Sequence, residues 1–227
     1  MIDIAVVDYG MGNLRSVAKA LEHVAPERVI AVTDDPDAIR TAGRVVFPGQ
    51  GAMPDCMREM DARGLRAPLL EAAQSKPFLG LCIGLQMLFE HSEEGNTSGL
   101  GVLPGKVVRF PTALTGSLGE KLKVPHMGWN QVYQTMSHPM WNGIAEGSRF
   151  YFVHSYYVDT PDRGLVAGTS RYPSSFTCAV ARNNIFAVQF HPEKSQSAGL
   201  RLLSNFVSWN GTSRMSVRTG AIPAANV

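Results

Sequence analysis

Residues Phe78-Leu79-Gly80-Leu81-Cys82-Ile83-Gly84-Leu85-Gln86-Met87-Leu88-Phe89 constrain this chain more than any other stretch, because an apolar strand-like run turns there through two glycines into an apolar helix-like run. A cysteine sits at the turn. Glycines two residues before and two after a nucleophile permit a strained strand-to-helix corner that lifts its side chain above a sheet, as in the G-x-S-x-G elbow. Here the lifted group is a thiol. Ile83 to Glu90 holds good helix formers and no proline, so the sequence predicts a helix whose amino-terminal amides point back at Cys82 and favour its thiolate. The other reading of Cys82 is a buried structural thiol, cysteine being among the most buried residue types.

The segments before that corner alternate strand with helix. Ile2 to Val7 is a nearly continuous apolar run of the kind buried on both faces of a parallel sheet. Behind the loop Asp8 to Asn13, residues Leu14, Val17, Ala18, Leu21 and Val24/Ala25 recur at helical spacing, and Asn13 has the chemistry of an N-cap. Gly10-x-Gly12 invites a dinucleotide reading, but Arg15 stands where a third glycine belongs and no acidic residue follows a second strand at the usual distance. Arg28 to Val32 reads as a second strand, Thr33-Asp34-Asp35-Pro36 as a turn into a short helix, and Arg44 to Phe47 as a third strand. Pro48-Gly49-Gln50-Gly51 ends it. Glycines on both sides of Gln50 allow a backbone N–H to be turned toward a ligand, or mark a tight strand-to-helix loop. Ala67 to Ser75 is predicted helical, and Lys76 to Leu81 is the strand that delivers Cys82. Short connections between alternating elements predict a parallel sheet wound in right-handed crossovers.

After Glu94-Gly95-Asn96 the pattern changes. Gly105 to Phe110, Trp129 to Tyr133, Arg149 to Val153, Leu165 to Thr169, Phe176 to Ala181 and Ile185 to Phe190 are short runs split by turn residues. They read as antiparallel strands and hairpins, with Asn183-Asn184 as one turn. A helix from about Ser197 to Trp209 is predicted to bury Leu200, Leu203, Phe206 and Val207. From Gly211 onward no apolar period survives, so the expected organisation is one domain over residues 1–210 and a flexible tail over 211–227.

Charge and cysteine usage exclude several classes of partner. The net charge is +2 with no Lys/Arg cluster, which leaves no electrostatic footprint for nucleic acid or a lipid surface. Three widely spaced cysteines without a C-x-x-C pair argue for a reducing compartment and against a disulfide framework or a zinc site. The amino terminus lacks a basic region followed by an uncharged apolar run, and the longest apolar segment is too short to span a bilayer, so the expected location is cytoplasmic.

A nucleophilic cysteine needs a base, and the base needs an orienter. His191 follows the apolar run Ile185 to Phe190 and is separated from Glu193 by one proline. Residues two apart in extended chain point to the same side, so an imidazole can have a carboxylate at its back. The same tripeptide also fits a surface turn. His23, His91, His126 and His138 have no comparable partner and read as surface or structural residues; His154, at an apolar-to-polar strand end, reads as a hydrogen-bonded structural histidine, with a substrate contact as the other reading.

Gly80-Leu81-Cys82-Ile83-Gly84-Leu85-Gln86 together with His191-Pro192-Glu193 resembles the class I glutamine amidotransferases. Tyr9-Gly10-x-Gly12-Asn13, Pro48-Gly49-x-Gly51, Leu88-Phe89-Glu90-x-Ser92-x-Glu94, Pro125 to Asn130, Phe152 to Tyr156 and Phe190 to Ser195 are similar to the branch formed by the glutaminase subunits of imidazole glycerol phosphate synthases. The resemblance runs from residue 1 to about 209. It implies an α/β fold, a flavodoxin-like three-layer sandwich with a central, mostly parallel sheet, helices on both faces and added antiparallel strands in the second half. It further implies that Cys82 attacks the glutamine amide carbon, that His191 is base and then acid, and that Glu193 orients it. Gln86 and Glu94 would contact L-glutamine, backbone around Ser155 and Tyr156 would seat it, and a peptide flip at Gly49-Gln50 would complete the oxyanion hole. Relatives commonly carry a small aliphatic residue where this chain has Gln50. No cofactor and no metal are implied. The implied partner is a cyclase subunit with a (β/α)8 barrel, joined as a heterodimer, which receives the ammonia; Asn13, Trp129 and Lys194 match positions facing it. A stand-alone hydrolase of γ-glutamyl compounds, another amidotransferase branch and a catalytically silent scaffold are the competing readings.

Overall fold

The computed structural model describes residues 1–116, 119–212 and 216–217. The first half builds the alternating elements β1 (Ile4–Val7), α1 (Leu14–Val24), β2 (Ile30–Thr33), α2 (Pro36–Thr41), β3 (Arg44–Phe47), α3 (Met53–Ala62), α4 (Arg66–Ser75) and β4 (Phe78–Leu81). The corner helix α5 (Ile83–Gln86) follows, then β5 (Phe89–Ser92). Much later the chain returns with α6 (Gln196–Ser208). The central sheet runs β2, β1, β3, β4, Ile185–Val188, Ser175–Arg182, Tyr156–Asp159, Leu103–Arg109, β5, Thr97–Ser98. Its first five strands are parallel; beyond them the sheet turns antiparallel apart from the parallel pairing of β5 with Leu103–Arg109. Ile185–Val188 is therefore both one arm of a hairpin through Asn183 (φ 52°) and a parallel neighbour of β4.

Continuous apolar strands are explained by a core on each face. Side chains alternate across a strand, and Ile4, Val6, Val46, Leu79, Leu81, Phe186 and Val188 pack with Val17 and Leu21 of α1 and Leu202, Leu203 and Phe206 of α6. Their neighbours Val7, Val45, Phe47, Phe78, Ile185 and Ala187 face Met53, Met57 and Met60 of α3 and Leu69 of α4. Each fully buried side chain of this kind contributes about 1.5–3 kcal/mol relative to exposure. This is the α/β three-layer sandwich expected for the fold class. Among the described residues no helix is long and apolar enough to cross a membrane.

Several local expectations are corrected. The helix after Cys82 spans only four residues, because Phe89 leaves it to pair with Leu103 in the sheet. Asn13 stands at the start of α1 without a side-chain capping bond. Helix α3 follows the Pro48–Gly51 loop without a capping side chain of its own: its N-cap position is Ala52, and the acceptor for the Met53 N–H is the Glu94 carboxylate at 2.8 Å, 41 residues away. In α6 the buried position is Leu202, while Leu200 is only half-buried. The tail expectation falls mostly outside the described residues; Ser216–Val217 pair with Met136–Ser137.

The two corner glycines act through space and not through φ. Neither has a positive φ, whereas Cys82 itself sits at φ 55°, ψ −109°. A Cβ on Gly84 would collide with the Phe47 carbonyl, and one on Gly80 would lie 2.9 Å from the Ala187 Cβ and 3.1 Å from the Gly84 carbonyl. Gly84→Ala is expected to cost about 1–3 kcal/mol in urea denaturation, as overpacking of a closed site does. A loss below about 0.5 kcal/mol would show that the strand and corner relax apart freely.

Candidate active site

In a parallel sheet the carboxyl ends of neighbouring strands meet at one edge. Three adjacent strands, β3, β4 and Ile185–Val188, deliver the Pro48–Gly51 loop, Cys82 and the segment from Gln189 to Glu193 to that edge. A cleft of about 480 Å³ opens there, lined among others by Gln50, Cys82, Gln86, Glu94, His191 and Lys194. Ser155 and Tyr156 line it as well. Gly49 lies just beneath, so close to the Tyr9 hydroxyl that a Cβ would overlap it.

Cys82 is 5% exposed, and its amide donates to Val188 O at 2.8 Å, anchoring the corner to the neighbouring strand. His191 Nδ1 lies 2.9 Å from Glu193 Oε1, with both side chains almost fully buried. The histidine backbone is held too: its N–H donates to Tyr151 O at 2.9 Å, and its carbonyl accepts from Ser195 Oγ at 2.6 Å. Burial pushes the His191 pKa down, but the Cys82 sulfur and the Glu193 carboxylate outweigh it and raise the imidazole well above its ordinary value. His191 Nε2, Glu193 Oε2 and Gln86 Oε1 are buried atoms without a hydrogen-bond partner among the described residues. Buried polar atoms of that kind are a feature of sites that receive a polar ligand.

The loop opposite is braced from below. Tyr9 Oη donates to Pro48 O at 2.9 Å, and the Cys56 thiol, kept neutral by burial that pushes it to about 11, sits 3.5 Å from Gln50 O. Glu94 reaches the cleft from the turn Glu94–Asn96 while capping α3.

Of the three positions matched to a partner face, Lys194 lines the cleft itself and lies 5.9 Å over the Tyr151 ring. Trp129 is 38% exposed and packs edge-on to the same ring, and Met127 beside it is 62% exposed. Asn13 lies outside the cleft, at the start of α1.

Sequence reading passed over Gln189 and Ser195. Gln189 is fully buried; its Nε2 lies 3.7 Å from Cys82 Sγ and its Oε1 accepts from Gln86 Nε2 at 3.0 Å. The signal was an amide inside the apolar run Ile185 to Phe190, which burial permits only with hydrogen-bond partners. Gln189→Leu is expected to cost about 1–2 kcal/mol in urea denaturation, since two hydrogen bonds worth about 1 kcal/mol each are lost, and to reduce kcat/KM roughly tenfold by releasing Gln86 beside the sulfur. An unaltered kcat/KM would reduce Gln189 to a packing role.

A cysteine on a strained corner at the carboxyl edge of a doubly wound sheet, facing a histidine backed by a carboxylate, marks an α/β enzyme of the thiol-dependent hydrolase type. The chain belongs to the glutamine amidotransferase class-I family, whose model matches residues 5–209. It is 69% identical over 210 residues to the imidazole glycerol phosphate synthase subunit HisH of Nitrosospira multiformis, covering 92% of this chain and 99% of that one. The subunit of the same name from Thiobacillus denitrificans is 68% identical, with 92% of each chain covered. Among solved structures, a glutamine amidotransferase superposes with a TM-score of 0.67 at 16% identity, over 91% of this chain and 100% of that one. A glutamine amidotransferase from Thermotoga maritima gives 0.56 at 17% identity, over 85% and 76%; both likenesses concern the fold.

Proposed function

We propose that this chain is the glutaminase subunit of an imidazole glycerol phosphate synthase, producing glutamate and ammonia and handing the ammonia to a cyclase subunit. The observation that supports this most is Cys82 beside the His191–Glu193 pair in a cleft, within a chain so similar to the HisH subunits. Cys82 Sγ attacks the amide carbon of glutamine with its proton held on His191 Nε2. The developing oxyanion is met by the backbone of the Gly49-Gln50 loop, where one preorganised N–H donor contributes about 3 kcal/mol. His191 then gives its proton to the leaving nitrogen, the C–N bond breaks, and ammonia departs from a glutamyl thioester. Water, deprotonated by His191, attacks the thioester, the C–S bond breaks, and glutamate leaves. Glu193 holds the ring so that Nε2 faces the sulfur. Gln86, Glu94, Ser155 and Tyr156 seat the substrate.

The cyclase, a (β/α)8 barrel, docks over Asn13, Trp129 and Lys194. Exposed Trp129, packed against the Tyr151 ring that lines the cleft, and exposed Met127 fit such a contact. Residues 1–210 form one amidotransferase domain, and the protein works in the cytoplasm. The test is glutamate release by the isolated chain, by the chain with a barrel-type cyclase, and by both with the cyclase's nucleotide ligand. The rate is expected to rise at least roughly tenfold in the last case, a coupling of about 1.4 kcal/mol. Equal rates in all three would overturn the reading.

A further inference from the structure

The strand His126–Gln131 alternates with period two: Met127, Trp129 and Gln131 face solvent, while His126 and Asn130 turn inward. It pairs antiparallel with Arg149–His154, which sets His126 directly opposite His154. The two imidazoles sit in an aromatic box, His126 stacked on Tyr172 at 4.1 Å and His154 against Phe110 and Phe176 at 5.2 and 5.3 Å. Burial pushes His126 down to about 4 and His154 to about 3, so both rings are neutral in the physiological range.

A neutral imidazole carries one N–H and one bare nitrogen, and its contacts decide which is which. His154 Nδ1 lies 2.7 Å from Tyr156 O, which only accepts, so Nδ1 holds the hydrogen and Nε2 is bare. His126 Nδ1 is 2.9 Å from that bare nitrogen and must donate to it, leaving His126 Nε2 bare in turn. Asn130 Nδ2 donates there at 3.2 Å. The Asn130 amide cannot be reversed, because its Oδ1 accepts from the Gln131 N–H at 2.8 Å and its Nδ2 donates to Arg171 O at 2.7 Å. At the other end Tyr156 O also accepts from Gln86 Nε2 at 3.2 Å, and Gln86 leads through Gln189 to the Cys82 sulfur. Every donor and acceptor in the series has one consistent assignment.

We propose that His126 and His154 are positioning residues: a tautomer-locked pair that fixes the Tyr156 carbonyl, and with it Gln86 in the substrate cleft, to the solvent-facing strand bearing Trp129. His154 lines the cleft, but both its ring nitrogens are engaged within the chain, by Tyr156 O and by His126; the proposal rests on the glutaminase reading for its kinetic consequence only. Long-range proton–nitrogen correlation spectra of the ¹⁵N-labelled full chain test the lock directly. Two of the six histidines are expected to show the Nδ1–H, bare-Nε2 form with shifts unchanged between about pH 5 and 8, and His154→Phe assigns them by removing one. Titration of either ring near pH 6.5, or an Nε2–H form, would overturn the lock whatever the enzyme does. The second arm measures glutamine hydrolysis by the chain assembled with its cyclase. His154→Phe is expected to raise KM about tenfold, and His154→Asn, whose amide can still donate to the Tyr156 carbonyl, to recover most of it, one hydrogen bond to the carbonyl being worth roughly that factor. Equal KM values in all three proteins would overturn the positioning role. A wild-type protein inactive on glutamine even with its cyclase, but with the expected spectra, would count against the glutaminase reading and leave the lock standing.

Discussion

Cys82→Ala is expected to lower glutamine hydrolysis by at least about 10⁴-fold, or roughly 5.5 kcal/mol of barrier, while the protein remains folded. The sulfur is the atom that forms the covalent intermediate, and no other thiol reaches the cleft: Cys56 lies beneath the Pro48–Gly51 loop and Cys178 is buried in the strand Ser175–Arg182. Alanine suits the site as well as cysteine does, since both carry a Cβ at the positive φ of the corner. The measurement that isolates the effect is product formation by the assembled synthase with glutamine or with ammonium as nitrogen source. Glutamine-dependent synthesis should vanish and ammonium-dependent synthesis should persist. A variant retaining a tenth of its glutamine-dependent rate would remove Cys82 from the mechanism.

Glu193→Gln is expected to reduce kcat by about 10²–10⁴. The upper end is the drop seen when the orienting carboxylate of a Ser-His-Asp triad becomes an amide and the ring takes the wrong tautomer. Here the carboxylate is 2.9 Å from Nδ1 and buried with it, so the exchange also removes a charge that supports the imidazolium. That has a signature in stability. Despite burial, the Cys82 sulfur and Glu193 raise the His191 pKa to about 10 in the folded chain, so the stabilisation is complete below the unfolded value near 6.5 and is lost as the pH climbs toward 10. The stability gap between wild type and Glu193→Gln, measured by urea denaturation, should therefore be widest near pH 6 and narrow toward pH 10. A gap that widened with pH would mean that His191 is neutral at rest.

The residues that carry the chemistry were legible because each has a local signature. Cys82 is bracketed by glycines, and His191 and Glu193 are two positions apart across a proline, a spacing that permits contact but also fits a surface turn; the contact is made with Pro192–Lys194 in a 3-10 turn, not in extended chain. The reason for the glycines was not legible. They make room for Phe47 and Ala187, residues of neighbouring strands, while the strain is borne by Cys82. The start of α3 has no local signature because its capping carboxylate arrives from Glu94, and the length of the helix after Cys82 has none because an apolar run reads alike as helix or strand until it finds a partner.

What the chain order alone determined is the alternation of short buried strands with helices, the corner that presents a thiol, and the histidine with a carboxylate behind it. These depend on periodicity, turn chemistry and spacings of a few residues, all of them short-range. The tertiary structure decided that β4 and Ile185–Val188 lie side by side, so that Cys82 and His191 share one cleft although they stand 109 positions apart. It also decided that Gln189 stands beside the sulfur and that two histidines with no partner close by in sequence face each other across a ribbon. Pairing between distant strands is set by which apolar faces can be buried together, and that is a property of the packed sheet, not of any one segment.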